Sequence, residues 1–172
     1  MINVVNSRWK MPIGYFFVAG LSGLELSNLT RMAIEKLNST GIIVMNVVCD
    51  NPTNNWSMLN HLGANLYSSD PRVCLGIKNN LQVPIFTILD VCHLIKLVRN
   101  CFGDYKNLYT ADNSRISWAY LVDLNDLQTT EGLHLANKLT SKHIDFKSNK
   151  MKTCLAVQTL SKSVAKGYVN QT

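Results

Sequence analysis

No CxxC pair occurs among the five cysteines (Cys49, Cys74, Cys92, Cys101, Cys154), and their number is odd. That spacing argues against a zinc site or a disulfide framework, and for reduced thiols in a cytosolic or nuclear setting. Long apolar runs are missing as well. The longest, around 15–19 and 42–49, fall far short of the roughly 20 residues that a membrane span requires. A secretory leader is not expected, because Arg8 and Lys10 follow the first apolar residues and no small-residue cleavage site comes after them. The chain also has no GxxxxGK[ST] loop, no serine or cysteine in a nucleophile elbow, no internal repeat and no low-complexity linker. These absences exclude the usual P-loop nucleotide hydrolases and the elbow-type hydrolases.

What is present suffices for a folded core. Of 172 residues, 47% are hydrophobic and only 16% charged, which is not the composition of a disordered chain. The net charge of +6 is unevenly spread. From Glu131 onward seven lysines (138, 142, 147, 150, 152, 162, 166) face only Glu131 and Asp145, a local excess of +5. Such a region either attracts phosphate or is simply a solvated lysine-rich face.

Residues 8–20 (RWKMPIGYFFVAG) are rich in aromatic and β-branched side chains and read as a strand entered through Pro12. Ser22 and Glu25 have capping-box spacing, Leu26, Leu29, Ala33 and Leu37 make an apolar stripe, and Gly41 is a stop; the pattern predicts a helix over 22–39. Residues 41–50 (GIIVMNVVCD) are apolar almost throughout, as in a strand covered on both faces. A short helix follows at 53–62, then a polar loop at 68–80, a buried strand at 83–89 and a helix from 91 to about 102. Three strands of one sheet alternate with three helices. After Gly103 strand signals vanish, and amphipathic helical segments are expected near 118–128, 133–142 and 151–168, with a boundary near 101–112.

Asp50 is the first candidate for chemistry. It closes a buried strand at the carboxyl end, where α/β sheets place functional groups. Carboxylates on adjacent strand ends can hold Mg²⁺ ions about 4 Å apart in two-metal phosphoryl chemistry. The alternative is an aspartate that caps the next helix. Asp50 is expected at the sheet's carboxyl edge, accessible to solvent, with no second carboxylate positioned to complete a two-metal site; Asp90, at the end of the neighbouring strand, is the nearest candidate. Asp90, His93, Lys96 and Asn100 lie along one face of the following helix, with Val91, Leu94, Val98 and Cys101 as its apolar face. The polar stripe suits phosphate or a catalytic carboxylate, or equally a surface network. Residues 137–140 (NKLT) depart from the guanine-reading NKxD pattern at Thr140, and His134 and His143 read as partly buried helix residues.

Several stretches, taken in order, resemble the P-element family of DNA transposases, including the THAP-domain transposase-like proteins of animals. They are WKMPIGYFF at 9–17, GIIVMNVVCDNPTNN at 41–55, HLG at 61–63, LDVCHLIKLVRN at 89–100, ISWAYLVDL at 116–124, GLHLANKLTSKHI at 132–144 and KMKTCLAVQTLSKSVA at 150–165. The resemblance implies an α/β fold: an incomplete RNase H-like sheet with flanking helices over 1–102, followed over 103–172 by the first part of a mostly helical GTP-binding insertion domain. It also implies Asp-Asp-Glu chemistry with Mg²⁺, in which Asp50 matches the second acid and is both catalytic and metal-binding. The first acid is expected before residue 1 and the glutamate after residue 172, so the chain alone is expected neither to cleave nor to join DNA. Lys138, Lys152 and Ser161 match nucleotide-contacting positions.

One departure is Asp50-Asn51-Pro52, where the family commonly has an Asp-Gly turn. The expected partners are transposon-end DNA, GTP and possible further copies of the chain, in the nucleus and without a membrane. The reading is a transposase fragment, or alternatively a domesticated, non-catalytic derivative that binds DNA, GTP or a protein. For the chain by itself, salt-sensitive binding of DNA is favoured over GTP.

Overall fold

A computed structural model describes residues 1–132 and 138–169, with side chains through 167. The chain divides into two units, Met1–Asp90 and Val91–Thr172, each with its own hydrophobic core.

In the first unit the capping box forms as the spacing requires. The Ser22 hydroxyl accepts the Glu25 amide at 3.3 Å, and the Glu25 carboxylate accepts the Ser22 amide at 2.8 Å. Helix α1 then runs Gly23–Ser39. These bonds, the backbone one first, hold the Glu25 carboxyl below its usual pKa. Strand β3 (Asn46–Cys49) lies parallel to β5 (Pro84–Leu89), and β4 (Cys74–Lys78) is antiparallel on the other side of β5. Helices α1 and α2 (Thr53–His61) cross closely at Gly23, where a Cβ would lie 2.2 Å from the Ser57 hydroxyl. Ile34, Met58, Leu59, Leu62, Leu75 and Ile85 form the core, with Val47, Cys49 and Leu89 packed against it.

The expected central sheet needs three corrections. Residues 8–20 contribute only Lys10–Met11 (β2), paired with Ile2–Asn3 (β1) in a separate two-stranded ribbon. Pro12 has no amide to extend the ladder, and Tyr15, Phe16 and Phe17 remain 78%, 60% and 90% exposed. Their composition suits a pleated surface, but strand formation needs neighbours to pack on. Second, β3 is covered on one face only. Val47 and Cys49 turn inward, whereas Val48 stands exposed beside Phe86 and Ile88, as the register Asn46↔Phe86 and Val48↔Ile88 dictates. Third, the expected loop at 68–80 contains β4. Buried Asn79 secures its turn: Oδ1 accepts the amides of Leu81 (3.0 Å) and Val83 (3.1 Å), while Nδ2 donates to the Val44 carbonyl.

The second unit begins with α3 (Val91–Tyr105) and a hairpin, β6 (Asn107–Tyr109) with β7 (Arg115–Ser117), where strand signals were not expected. Helix α4 follows at Ala119–Glu131 and ends on Gly132 in the left-handed region. Of the expected helix over 133–142, residues 133–137 lie outside the described residues, 138–140 are irregular, and α5 (Ser141–Ile144) is one turn. The expected helix at 151–168 is two helices, α6 (Thr153–Thr159) and α7 (Lys162–Val169), broken at Ser161, whose hydroxyl accepts the Val164 amide at 3.4 Å.

Trp118 sits edge-on between Phe102 and Phe146, with centroids 5.1 and 5.3 Å away, and Leu121, Leu124, Leu139 and Val164 complete this core. The apolar face expected of α3 is not the buried one. Val91 and Val98 are exposed, and Arg99, Phe102 and Gly103 are buried instead. Gly103 lets the Phe146 ring approach; a Cβ there would lie 2.6 Å from it. Among the described residues no helix is long and apolar enough to cross a membrane.

Candidate functional site

The parallel pairing of β3 and β5 brings two carboxylates to one edge. The ladder runs Cys49↔Leu89, so Asp50 and Asp90 stand at equivalent positions one step beyond it, on strands about 4.8 Å apart. The Asp90 amide donates to the Cys49 carbonyl at 2.8 Å, which extends the ladder to that step. Asp50 is exposed and Asp90 half-buried. By alternation both continue the face that carries Val48, Phe86 and Ile88.

Asp50 does not cap α2. The position before that helix is Pro52, which makes no side-chain cap bond. Instead Asn55 reaches back, and its Nδ2 donates to Asp50 Oδ1 at 2.5 Å and to the Asp50 carbonyl at 3.3 Å. One residue further on, the Trp56 indole donates to Asn51 Oδ1 and its ring stacks on Tyr67 at 4.1 Å. Two side-chain links five residues apart, with Pro52 between them, fix the turn that presents Asp50. The departure from an Asp-Gly turn is therefore compensated by side chains. Asn55 went unnoticed in the sequence, although its distance from Asp50 across a proline was the available signal. Burial, with a smaller contribution from the Asp50 carboxylate, raises the pKa of the Cys49 thiol and keeps it protonated.

Among the described residues no three His, Cys, Asp or Glu side chains gather around a common point. Asp50 nonetheless fits a share in holding Mg²⁺, an ion bound through one or two carboxylates with water completing its shell.

In the second unit all seven lysines from 138 onward are exposed. Lys138 lies two residues before Thr140, which opens α5. Lys152 is the residue before α6, and Ser161 follows that helix, so the two flank a seven-residue helix about 10 Å long. The Ser161 hydroxyl is already engaged with Ser163 and with the start of α7. His143 is buried and structural. Its Nδ1 accepts the Thr140 amide at 3.0 Å, which leaves Nε2–H to donate to Gln158 Oε1 at 3.0 Å and ties α5 to α6. Asn137 and His134 lie outside the described residues. Exposed ammonium groups on short helices suit the phosphates of a nucleotide.

The site is thus a parallel strand pair ending in two carboxylates, followed in sequence by a helical unit rich in exposed lysines. Residues 1–63 match the family model described as TNP-like, RNase H N-terminal domain, and residues 92–168 match TNP-like, GTP-binding insertion domain. The chain is 31% identical over 161 residues to the human DNA transposase THAP9, covering 94% of this chain and 18% of that protein. It is 26% identical over 166 residues to the transposable element P transposase of Drosophila melanogaster, covering 96% of this chain and 21% of that one. The Drosophila P element transposase strand transfer complex superposes with a TM-score of 0.75 at 26% identity, over 94% of this chain and 35% of that one. The chain thus spans about a fifth of the length of the curated relatives. Its two matched segments belong to the TNP-like RNase H N-terminal and TNP-like GTP-binding insertion domain families.

Proposed function

We propose that this chain supplies part of the catalytic domain and part of the nucleotide-binding insertion of a P-element-type DNA transposase acting in the nucleus. In this reading Asp50 is a catalytic carboxylate that helps to hold Mg²⁺, and Lys138, Lys152 and Ser161 contact GTP. The observation that carries it is the register of β3 and β5, which puts Asp50 and Asp90 side by side at the carboxyl edge, immediately before a unit of the GTP-binding family. When bound, the metal supplies the positive charge that offsets negative charge developing on a transferring phosphate. The chain's own residues orient and present the carboxylate: Asn55 fixes one oxygen, and the Asn51–Trp56 link stiffens the turn.

The test is titration of the 172-residue chain with Mg²⁺ or Mn²⁺, followed by calorimetry or Mn²⁺ resonance. Weak binding lost in Asp50→Asn is the expected result. Tight binding of two ions, or weak binding indifferent to Asp50→Asn, would refute the assignment.

The seven exposed lysines give a second role, attraction of the DNA backbone. Duplex DNA of any sequence is expected to bind at low salt and to release steeply as salt rises. Lys138→Ala is expected to weaken GTP binding more than it weakens DNA binding, because one lysine among seven changes a diffuse field little. Equal loss of both ligands would place Lys138 in the general surface and outside the nucleotide site.

A further inference from the structure

The least expected buried group in the molecule is Arg99. It is 0% exposed, on the inner side of α3, in a position that hydropathy alone assigns to solvent. Its Nη2 donates to the carbonyls of Asn149 (3.0 Å) and Lys150 (3.2 Å), fifty residues away in sequence, and its Nε donates to Asn100 Oδ1 (2.8 Å). Nη1 is buried without a hydrogen-bond partner among the described residues. Burying a guanidinium is costly, and an apolar side chain of similar size in such a place is often at least as stable. Stability alone therefore explains Arg99 poorly. What an arginine supplies and an apolar residue cannot is a fixed fork of donors aimed at two consecutive carbonyls.

Those carbonyls belong to the turn that delivers Lys152 to the start of α6. Asn149 is held from its other side as well, by Nδ2 bonds to the carbonyls of Lys142 and Asp145, and its own carbonyl accepts the Lys152 amide at 3.1 Å. The path from Arg99 to Lys152 is thus one hydrogen-bonded turn. We propose that Arg99 is a positioning residue of the nucleotide site: it holds the Asn149–Lys150 turn so that Lys152 is presented in one direction to the phosphates of GTP. This rests on the nucleotide reading given above. Asn100 assists by fixing the plane of the guanidinium.

The experiment is a double-mutant cycle on the 172-residue chain. Binding of a fluorescent GTP analogue with Mg²⁺ is measured for wild type, Arg99→Lys, Lys152→Ala and the double variant, at a temperature where circular dichroism shows all four folded. Hydrogen exchange of residues 149–156 is followed in parallel. Lysine keeps the charge but is shorter and has no Nε–H, so it loses the bond to Asn100 and its ammonium falls short of the place from which Nη2 serves both carbonyls. Arg99→Lys is expected to weaken the nucleotide about tenfold, the size of one lost charge-assisted bond, and to speed exchange in the turn and the first turn of α6. In the Lys152→Ala background the same change is expected to have no further effect on affinity. An additive loss, an unchanged affinity or unchanged exchange in the turn overturns the proposal. Asn100→Ala, a milder change on half-buried Asn100, is expected to shift both readouts in the same direction by less, and it serves if Arg99→Lys does not fold. A wild-type chain that binds no GTP overturns the nucleotide reading and this proposal together, whereas wild-type binding that Arg99→Lys leaves intact overturns this proposal alone.

Discussion

In an assembly that supplies the rest of a P-element-type catalytic domain, Asp50→Ala is expected to lower Mg²⁺-dependent DNA strand transfer at least about 10³-fold. Phosphoryl transfer gives a protein little covalent chemistry to perform, so the rate depends on how charge is positioned around the phosphorus. Asp50 is fixed for that purpose by Asn55 and by the stiffened turn behind it, and it makes no cap bond to α2 that would give it another use. GTP binding and salt-dependent DNA binding should be unaffected. Asp70→Ala, an exposed carboxylate away from the strand ends, is the control and should leave the rate unchanged. Joining of a labelled transposon-end duplex to plasmid DNA reads the outcome. Strand transfer within tenfold of wild type in Asp50→Ala would remove this residue from the chemistry.

The second large effect concerns stability. Gly63 ends α2 with φ +95°, and a Cβ there would lie 2.9 Å from the backbone nitrogen of Gly76 in β4. That same nitrogen donates to the Leu62 carbonyl at 2.6 Å, so the helix end and the strand cannot separate without losing the bond. Gly63→Ala combines a left-handed backbone, worth about 1–2 kcal/mol, with a clash against the backbone of β4, for a loss on the order of 3 kcal/mol or more. For a unit of this size the melting point should fall by more than about 10 °C. Gly41 has φ +83° but nothing within 4 Å of its missing Cβ. Gly41→Ala should therefore show the backbone cost alone. If the two variants melt alike, the clash with Gly76 has no energetic weight.

The fold was legible where one local signal sufficed. Ser22 and Glu25 announced α1, and the apolar runs announced β3 and β5, whose pairing put Asp50 beside Asp90. It was illegible where the deciding partner lay far off. Residues 12–19 have the composition of a strand, but no described strand extends the ladder beyond Met11. Strand β4 alternates around Gly76 and depends on Asn79, a buried polar residue that reads as part of a loop. In α3 the sequence pattern chose Val91 and Val98 for the interior. The structure chose Arg99 and Gly103, because Phe146 and the Asn149–Lys150 carbonyls, more than forty residues away, reward a fork of donors and an absent Cβ. The lysines were visible as charge, but the direction of Lys152 depends on a turn that no local pattern records.

The exposed sheet face bearing Val48, Phe86 and Ile88 also governs how this polypeptide behaves when made by itself. Among the described residues strand β3 pairs with β5 on one side only, so its other edge offers backbone donors and acceptors next to exposed apolar side chains. Such an edge templates pairing with any strand that meets it, including another copy of itself. Its colloidal behaviour is then a matter of concentration more than of folding free energy.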